Sequence, residues 1–327
     1  MTRGTLRLYL GYAAGVGKTY AMLNEGRRRR ERGADVVVGF VEPHGRPHTS
    51  EQLGDLEVLP RCHFDHRGGV VEEMDVEAIL ARRPEVALVD ELAHANAPGS
   101  RNPTRWQDVE ELLEGGIHVV STLNIQHIGS LNDVITRITG SQEPVTVPDE
   151  IVRRAEQQEL VDMTPQALRR RIAHGNVYPP ERIDAALSNT FREGNLGALR
   201  ELALLWLADR VDESLQAYRK DHEIEGPWET RERILVAVTG RAGDEMVVRR
   251  AARMAARRGG ELLAVHVIPE DGLDTGTEVG GSRALVEQLG GSFREVLGRS
   301  IPDGLLDVAR SENVTQLVVG SSSRSRW

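Results

Sequence analysis

The stretch that decides the fold is residues 6–19, Leu-Arg-Leu-Tyr-Leu-Gly-Tyr-Ala-Ala-Gly-Val-Gly-Lys-Thr. Its alternating leucines, Leu6, Leu8 and Leu10, predict a short strand. A glycine-bearing turn follows. The proline-free run 18–32, with apolar residues early and arginines late, predicts a helix. A strand, a glycine turn ending in Gly-Lys-Thr and a helix are the context that a phosphate-binding P-loop requires.

The residue types of this turn suit the binding of a nucleotide's phosphates. Glycines let consecutive backbone N–H groups converge on one anion, and a helix N-terminus adds the positive end of its dipole. We therefore predict that Gly15, Val16 and Gly17 bind phosphate. Lys18 is predicted to reach the outer phosphates, and the Thr19 hydroxyl is predicted to ligate Mg²⁺.

The turn departs from the usual pattern G-x-x-x-x-G-K-S/T at one position. The pattern places its first glycine at position 12, where this chain has Tyr12, and Gly11 stands one residue early. Gly15 adds a glycine inside the turn, so the loop is still expected to form. The alternative is a strand, turn and helix that contain Gly-Lys-Thr by coincidence.

Composition places the chain among ordinary globular proteins. Its 327 residues indicate about two domains, and 39% are hydrophobic and 28% charged. The net charge of −9 argues against general nucleic-acid binding. The four arginines at 27–30 are the exception, and we interpret them as a helix end.

A lone Cys62 excludes an internal disulfide. With no signal peptide and no apolar run of about 18 residues, we expect a cytoplasmic chain, or the cytoplasmic piece of a larger one.

A second apolar run, residues 35–42, predicts a parallel strand covered on both faces. Polar side chains crowd its C-terminal end: Glu42, His44, Arg46 and His48. Ligands bind at that edge of open α/β sheets, so the cluster is either a candidate site or an ordinary polar loop. A metal site is less favoured, because Pro47 argues against a helix that would present His44 and His48 together.

A further strand ends in an acidic pair. A helix over 75–82 is followed by Val-Ala-Leu-Val-Asp-Glu at 86–91, which is typical of a Walker B strand. Asp90 is predicted to hold Mg²⁺, directly or through water. Glu91 is the candidate general base that orients an attacking water.

The next elements are a helix over 104–113 and a buried strand over 117–125. Thr104 with Gln107 three residues on predicts a capping box at the helix start. Four polar residues end the strand: Thr122, Asn124, Gln126 and His127. They are predicted to sense a terminal phosphate, or alternatively to act as strand-end caps and turn formers.

Several motifs of this chain belong together, and they lie at 11–19, 41–46, 90–101, 105–113 and 123–127. Two later runs read Gly-Asn-Leu-Gly-Ala-Leu-Arg-Glu-Leu-Ala-Leu and Ala-Asp-Arg-Val-Asp-Glu. Together these stretches resemble the N-terminal cytoplasmic domain of KdpD sensor kinases. The resemblance spans about residues 4 to 220. It implies ATP, with Mg²⁺, as the ligand of the P-loop, and a role in sensing potassium limitation or osmotic stress and controlling a potassium-uptake operon.

The site residues that the resemblance carries over by motif position are Gly15, Gly17, Lys18, Thr19, Asp90 and Glu91. Family members share the displaced first glycine. The implied partners are the kinase core of a KdpD-type sensor and its response regulator. Nothing in the sequence resembles a histidine-bearing dimerisation helix, a kinase domain or a membrane helix. We therefore expect an input region that reaches an inner membrane only through segments outside this chain.

Two alternatives to a regulatory input region stay open. One is a free-standing P-loop ATPase or nucleoside-kinase-like enzyme, in which Lys18 and Glu91 would be essential. The other is a binding scaffold without hydrolysis. The residues do not decide whether ATP is hydrolysed, even weakly, or only bound.

Helices are predicted over 165–171, 180–187 and 194–218. In the last, apolar residues recur at three- and four-residue steps: Leu196, Leu199, Leu202, Ala203 and Trp206. This stripe is either part of the core or a surface for a partner. A charged linker with a Gly-Pro break then follows at 223–232.

A second α/β unit follows the linker. Strands are predicted over 234–238, 262–268 and 316–319, and helices over 243–258 and 302–310. The unit resembles a universal-stress-protein domain, a flavodoxin-like, doubly wound fold. Its last helix and strand would lie beyond Trp327, so we expect it to be incomplete.

The nucleotide motif of that fold is only partly present in the second unit. Serines rather than a second glycine follow Gly320, and Thr239 stands where an acidic residue is usual, so ATP is not expected there. Some KdpD relatives bind cyclic di-AMP in this domain, which makes Ser323 and Ser325 candidate contacts.

The predicted fold class is therefore α/β in two domains. The first, over 1–222, is a P-loop NTPase-like parallel-sheet domain with a helical tail. The linker spans 223–232. The smaller universal-stress-protein-like domain spans 233–327.

Overall fold

The computed structural model describes residues 2–43, 47–66, 69–222, 232–241, 243–257, 259–269 and 279–320. Internal contacts divide the chain into two compact units, Met1–Arg210 and Val211–Trp327. The boundary between the units falls inside a long helix, Glu193–Asp221. The sequence-based boundary at residue 222 lies just past the end of the same helix.

The first unit contains a parallel sheet of six strands and a separate antiparallel hairpin. The strands in chain order are β1 (Leu6–Gly11), β2 (Val36–Phe40), β3 (Glu57–Val58), β4 (Arg61–His66), β5 (Gly69–Met74), β6 (Val86–Val89), β7 (His118–Asn124) and β8 (Gln157–Leu160). The sheet order is β3-β2-β6-β7-β1-β8, with every neighbouring pair parallel. The hairpin is formed by β4 and β5.

Helices connect these strands and extend beyond the last one. They are α1 (Lys18–Glu31), α2 (Pro47–Leu53), α3 (Val76–Arg82), α4 (Arg105–Glu114), α5 (Asn132–Thr139), α6 (Asp149–Arg153), α7 (Pro165–Ala173), α8 (Pro180–Ser188) and α9 (Glu193–Asp221). Two short 3₁₀ turns, Ile125–His127 and Gly129–Leu131, follow β7.

Alternation along β1 explains why the sheet is buried on both faces. Leu6, Leu8 and Leu10 pack into one apolar cluster, whereas Tyr9 packs into a second cluster. Successive strand side chains point to opposite faces, so a strand that is apolar at both sets of positions needs cover on both sides. The sequence prediction of a parallel α/β sheet is therefore confirmed.

The arginine run at the end of α1 lies in the last turn of that helix. Arg29 pairs with Glu25 at 2.8 Å, and Arg30 pairs with Asp55 at 2.8 Å. Cations are favourable at a helix C-terminus because they oppose the negative end of the dipole. The interpretation of these arginines as a helix end holds.

Helix α2 was not predicted from the sequence. It begins at Pro47, because the first helical position needs no N–H donor. His44 and Arg46 of the predicted polar cluster lie outside the described residues.

The capping box predicted at Thr104 was wrong, because the Thr104 hydroxyl does not cap the backbone of α4. It donates instead to the Gln107 side-chain oxygen at 2.8 Å, so the two side chains satisfy each other.

Several elements were not predicted from the sequence, namely the β4–β5 hairpin, β8, α5 and α6. These segments are short, between four and eight residues long. β8 reads Gln-Gln-Glu-Leu, which carries little apolar periodicity, so only pairing with β1 makes it a strand.

The apolar stripe of α9 belongs to the core of the first unit. Leu196, Leu199, Ala203 and Trp206 are buried in the larger of its two apolar clusters, and Leu202 packs against them. The core interpretation of this stripe is confirmed. The helical extension is thus held to the sheet by burial of apolar surface.

The second unit contains a parallel sheet of four strands in the order β11-β10-β9-β12. Its elements are β9 (Arg233–Ala237), α10 (Asp244–Arg257), β10 (Glu261–Pro269), α11 (Gly280–Gln288), β11 (Ser292–Gly298), α12 (Ile301–Ser311) and β12 (Gln316–Val318). Apolar clusters cover both faces. The predicted α/β alternation is confirmed, and α11 and β11 are additions to it.

Some sequence-based expectations lie outside the described residues. They concern most of the linker, residues 223–231, and the C-terminal serines, including Ser323 and Ser325. Within the described part of the chain, no helix combines the length and apolarity needed to cross a bilayer.

A buried tyrosine joins the end of β1 to the chain that follows β8. Tyr12 is fully buried, and its hydroxyl donates a hydrogen bond of 2.7 Å to the Met163 carbonyl oxygen. Burial raises the pKa of Tyr12 to about 12, so the phenol stays neutral and remains a donor. Tyr12 therefore points into the core.

We predict that Tyr12→Phe lowers the free energy of unfolding by about 1 kcal/mol, because the Met163 carbonyl loses its buried donor. Chemical denaturation measures the change. Tyr20→Phe is the matched control, since Tyr20 is 42% exposed, and its effect should stay within about 0.5 kcal/mol. Equal effects of the two variants would contradict a stabilising Tyr12 hydrogen bond.

Candidate functional site

The loop between β1 and α1, residues 11–17, is named here the glycine loop. Gly15 has φ +87° and Gly17 has φ +110°, conformations that side-chain-bearing L residues rarely adopt. A Cβ atom on Gly15 would also lie 2.6 Å from Val177 Cγ2. The glycine loop therefore requires glycine at both positions.

The early position of the first glycine has a steric reason. A Cβ atom on Gly11 would lie 2.7 Å from Val16 Cγ2 and 2.9 Å from Lys18 Cδ. The stem of Lys18 thus packs directly over Gly11, and this close approach is why glycine stands at 11. Position 12 has room for a tyrosine because Tyr12 turns into the core.

Lys18 and Thr19 open α1 and contact the ends of two neighbouring strands. Lys18 Nζ donates to Asn124 Oδ1 at 2.5 Å, and Asn124 is the last residue of β7. The Thr19 hydroxyl donates to Asp90 Oδ2 at 3.0 Å, and Asp90 directly follows β6. The first turn of α1 is therefore tied to the carboxyl edge of the sheet.

Asp90 is almost completely buried, with 1% of its surface exposed. Besides Thr19, the Thr122 hydroxyl donates to Asp90 Oδ1 at 2.6 Å. Burial is the main cause that raises the pKa of Asp90, and the neighbouring charge of Glu91 adds to it, whereas the two hydroxyls oppose it. A carboxylate in such a position is stabilised by a cation placed beside it.

Glu91 adopts the left-handed backbone conformation, with φ +56°. Its backbone N–H donates to the Thr122 hydroxyl oxygen at 3.0 Å, and its side chain is exposed. A non-glycine residue held in this conformation carries a cost in free energy, which the surrounding hydrogen bonds must offset. The turn presents Glu91 at the edge of the sheet.

A cleft of about 220 Å³ brings most of the predicted site residues together. Those lining it are Gly15, Gly17, Lys18, Thr19, Asp90 and Glu91. This cleft is named the strand-end cleft. Val16 does not line it, because its side chain is buried in the core. Only the backbone of Val16 remains a candidate for phosphate binding.

The polar residues that end β7 divide into two groups. Thr122, Asn124 and His127 line the strand-end cleft. Gln126 lies outside the lining, which favours the alternative that it is a turn former. Its amide donates to Glu143 Oε1 at 2.8 Å, because the 3₁₀ turn after β7 rotates consecutive side chains in different directions.

Among the residues with hydrogen-bonding side chains that line the strand-end cleft, sequence reasoning missed three, Tyr20, Thr49 and Arg171. Thr49 lies on α2, whose existence was not predicted. Arg171 ends a run of three arginines on α7. The run was visible in the sequence, but nothing there indicated which arginine meets the glycine loop. Glu42 lies outside this lining and pairs with Arg61 at 3.5 Å.

A buried arginine supports the turn that carries Asp90 and Glu91. Arg105 is fully buried at the start of α4. It donates to the Asp90 carbonyl oxygen at 3.2 Å and to Glu73 Oε2 at 3.1 Å, and its guanidinium lies 3.7 Å from the centroid of the Phe40 ring. It therefore joins the end of β6 to the β4–β5 hairpin.

Glu73 is the buried partner of this arginine. It accepts the Ala97 N–H at 2.8 Å and lies 3.0 Å from His94 Nε2. Burial alone raises the pKa of Glu73, but the contacts with His94 and Ala97 and the charge of Arg105 outweigh it and lower the pKa overall. Glu73 is thus a charged, fully hydrogen-bonded carboxylate.

The loop over residues 94–103 supports this network. The side-chain amides of Asn96 and Asn102 donate to the two oxygens of Asp108 at 2.7 and 2.9 Å. Asn96 and Asn102 therefore hold this loop against α4. No sequence signal identified Glu73, because the hairpin that carries it was not predicted.

The donors available for a metal are few. Among the described residues, no group of three or more His, Cys, Asp or Glu side chains is arranged to hold a metal ion. Thr19 and Asp90 supply one hydroxyl and one carboxylate. Such a pair suits Mg²⁺, which keeps several waters and takes few protein ligands.

We predict that Arg105→Met lowers the free energy of unfolding by about 3–5 kcal/mol, because it leaves Glu73 buried without its counter-charge. Arg101→Met is the matched control. Arg101 is 51% exposed and pairs with Glu77 and Glu111 at the surface, so its loss should cost about 1 kcal/mol or less. Denaturant titration measures the free energy of unfolding of both variants. Similar decreases in the two variants would contradict the role assigned to Arg105.

Two known families match this chain, each over a different part of it. The family described as the osmosensitive K⁺ channel His kinase sensor domain, KdpD, matches residues 2–211. The universal stress protein family matches residues 230–327. The solved structure of a universal stress protein from Archaeoglobus fulgidus matches with 25% identity and a TM-score of 0.24, over 28% of this chain and 76% of that one.

Curated relatives match almost from end to end of this chain. Sensor protein KdpD of Mycobacterium tuberculosis is 58% identical over 327 residues, covering 99% of this chain and 38% of that protein. A putative sensor protein KdpD of Synechocystis is 38% identical over 328 residues, covering 99% of this chain and 88% of that protein. The chain thus spans less than half the length of the mycobacterial relative. It belongs to the KdpD family of osmosensitive K⁺ channel His kinase sensor domains, with a universal stress protein family domain as its second unit.

Proposed function

We propose that this chain is the ATP-binding regulatory input region of a two-component sensor histidine kinase of the KdpD type, which controls potassium-uptake gene expression. The observation that carries the ATP-binding part is the meeting of Lys18 and Thr19 with Asp90 beside the glycine loop. A cation, a hydroxyl and a carboxylate at a helix N-terminus are the groups that P-loop proteins use for Mg²⁺ and phosphate.

In this proposal the glycine loop is a P-loop. Gly15 and Gly17, both at positive φ, allow the backbone N–H groups to turn toward an anion, and the N-terminus of α1 adds its dipole. Lys18 exchanges its contact with Asn124 for the outer phosphates. Its reach is favoured because its stem already packs over Gly11.

Thr19 and Asp90 are the proposed Mg²⁺ ligands, with Asp90 acting directly or through water. A bound Mg²⁺ would supply charge compensation for the phosphates. The residues fit this role because Asp90 is buried between two hydroxyls with no basic side chain among its hydrogen-bond donors in the described part of the chain. A cation beside it would offset the cost of burial.

Glu91 is the proposed residue for orienting water. Its carboxylate borders the strand-end cleft, and its backbone is held in place by Thr122. A positioned carboxylate can act as a general base when a nucleotide is hydrolysed. A free-standing ATPase or nucleoside-kinase-like enzyme is not favoured, because the chain belongs to a sensor-domain family.

The proposed partners are the kinase core of a KdpD-type sensor and its response regulator, and the proposed location is the cytoplasmic side of an inner membrane. The curated name of the mycobacterial relative, a sensor protein, supports a signalling role. Cyclic di-AMP at the second unit stays a hypothesis, since Ser323 and Ser325 lie outside the described residues.

We predict that Lys18→Ala weakens ATP·Mg²⁺ binding by about 100-fold, because it removes the charge-assisted contact to the phosphates. Isothermal calorimetry measures the affinity. Arg28→Ala is the matched control, since it removes an exposed positive charge from the same helix, and its affinity should equal that of the wild type. Wild-type affinity for ATP·Mg²⁺ in Lys18→Ala would contradict the P-loop assignment.

Hydrolysis followed in the same samples separates regulation from enzymatic turnover. We expect tight binding with turnover near zero in the wild type. Steady turnover that falls about 100-fold or more in Glu91→Gln would instead favour the enzyme alternative, because a general base contributes about 10²–10⁴ to rate.

A further inference from the structure

The glycine loop is covered by the chain that follows β8, residues 161–177. Val161 Cγ1 lies 3.9 Å from where a Cβ of Gly17 would stand, and the side chains of Leu168 and Val177 reach the corresponding position at Gly15. The Met163 carbonyl accepts the Tyr12 hydroxyl. This segment, named here the loop cover, therefore packs on the glycine loop itself.

Three successive arginines of α7 in the loop cover meet three different environments. Arg169 donates to the carbonyl oxygens of Leu187 and Phe191. Arg170 is exposed. Arg171 lines the strand-end cleft. Arg171 lies three residues after Leu168, so both are on the helix face that meets the glycine loop.

The Arg171 guanidinium is available for an anionic ligand. Among the described residues, its side chain makes no hydrogen bond or ion pair. It is nevertheless half-buried in a polar cleft. A guanidinium offers a planar fork of donors that matches phosphate oxygens, and a buried face without a carboxylate partner favours an anion from outside the chain.

The geometry points to Arg171 as a phosphate-binding residue of the strand-end cleft, supplied by the loop cover and facing the same nucleotide as Lys18. This inference rests on the proposed function. A phosphate that contacts both the glycine loop and Arg171 joins α7 to the glycine loop. The nucleotide-bound form therefore differs from the free form in how firmly α7 is held.

The loop cover is also anchored to the rest of the helical extension. Asp162 accepts a forked pair of hydrogen bonds from Arg200 at 2.7 and 2.5 Å, and Arg200 lies on α9. Arg169 ties α7 to the end of α8. A phosphate contact at Arg171 therefore acts on helices that are already coupled, which provides a route from nucleotide to α9.

The test compares Arg171→Gln with Arg170→Gln, which removes the same charge from the neighbouring exposed position. Calorimetry with ATP·Mg²⁺ is expected to show affinity about 10- to 100-fold weaker for Arg171→Gln, as for the loss of one charge-assisted hydrogen-bonded pair. Arg170→Gln should bind like the wild type. Arg171→Lys, which keeps the charge but loses the fork, should fall between the two.

A second measurement tests the role of α7 directly. Hydrogen exchange with and without ATP·Mg²⁺ is expected to show protection of the α7 amides in the wild type and in Arg170→Gln. That protection should be lost in Arg171→Gln. If Arg171→Gln does not fold, Arg171→Lys serves for both measurements, with weaker binding and reduced protection as the supporting result.

The outcomes separate this inference from the proposed function. Wild-type affinity in Arg171→Gln, together with loss of binding in Lys18→Ala, overturns the role of Arg171 and leaves the P-loop in place. Equal weakening by Arg170→Gln and Arg171→Gln also overturns it, because only general electrostatics would then be acting. If the wild type does not bind ATP·Mg²⁺, both fall together.

Discussion

The first unit depends on one buried carboxylate. Asp90 accepts hydrogen bonds from Thr19 on α1 and Thr122 on β7, and it stands at the end of β6. Three elements that are distant in sequence therefore converge on one side chain. Burying a carboxylate without hydrogen-bond partners costs free energy, so burial of Asp90 is favourable only when both hydroxyls donate to it. The geometry of the strand-end cleft follows from that constraint.

A buried ion pair, Arg105 with Glu73, supports the turn that carries Asp90. Arg105 donates to the Asp90 carbonyl and pairs with Glu73, which the loop around His94 and Ala97 also contacts. A buried ion pair of this kind contributes less to stability than its charges suggest, because both partners give up hydration. Its clearer effect is on position, since it orients the turn that presents Glu91.

The helical extension is part of the site as well as part of the core. Leu168 and Val177 pack against the glycine loop, and the apolar stripe of α9 is buried under the same sheet. Tyr12, Ala13 and Val16 of the glycine loop belong to the same apolar cluster as the stripe of α9. The glycine loop and α9 therefore share one close-packed core, and interiors of this kind transmit strain.

The sequence by itself determined the strand–loop–helix start and the strand ending in Asp90, because alternating leucines and a Gly-Lys-Thr turn depend on local chemistry. It did not determine where Pro47 begins a helix or that Gln126 turns away from the cleft. Only the tertiary structure decided which arginine of α7 faces the glycine loop. Helix phase and packing on distant residues set that choice, and neither is encoded by the arginine run itself.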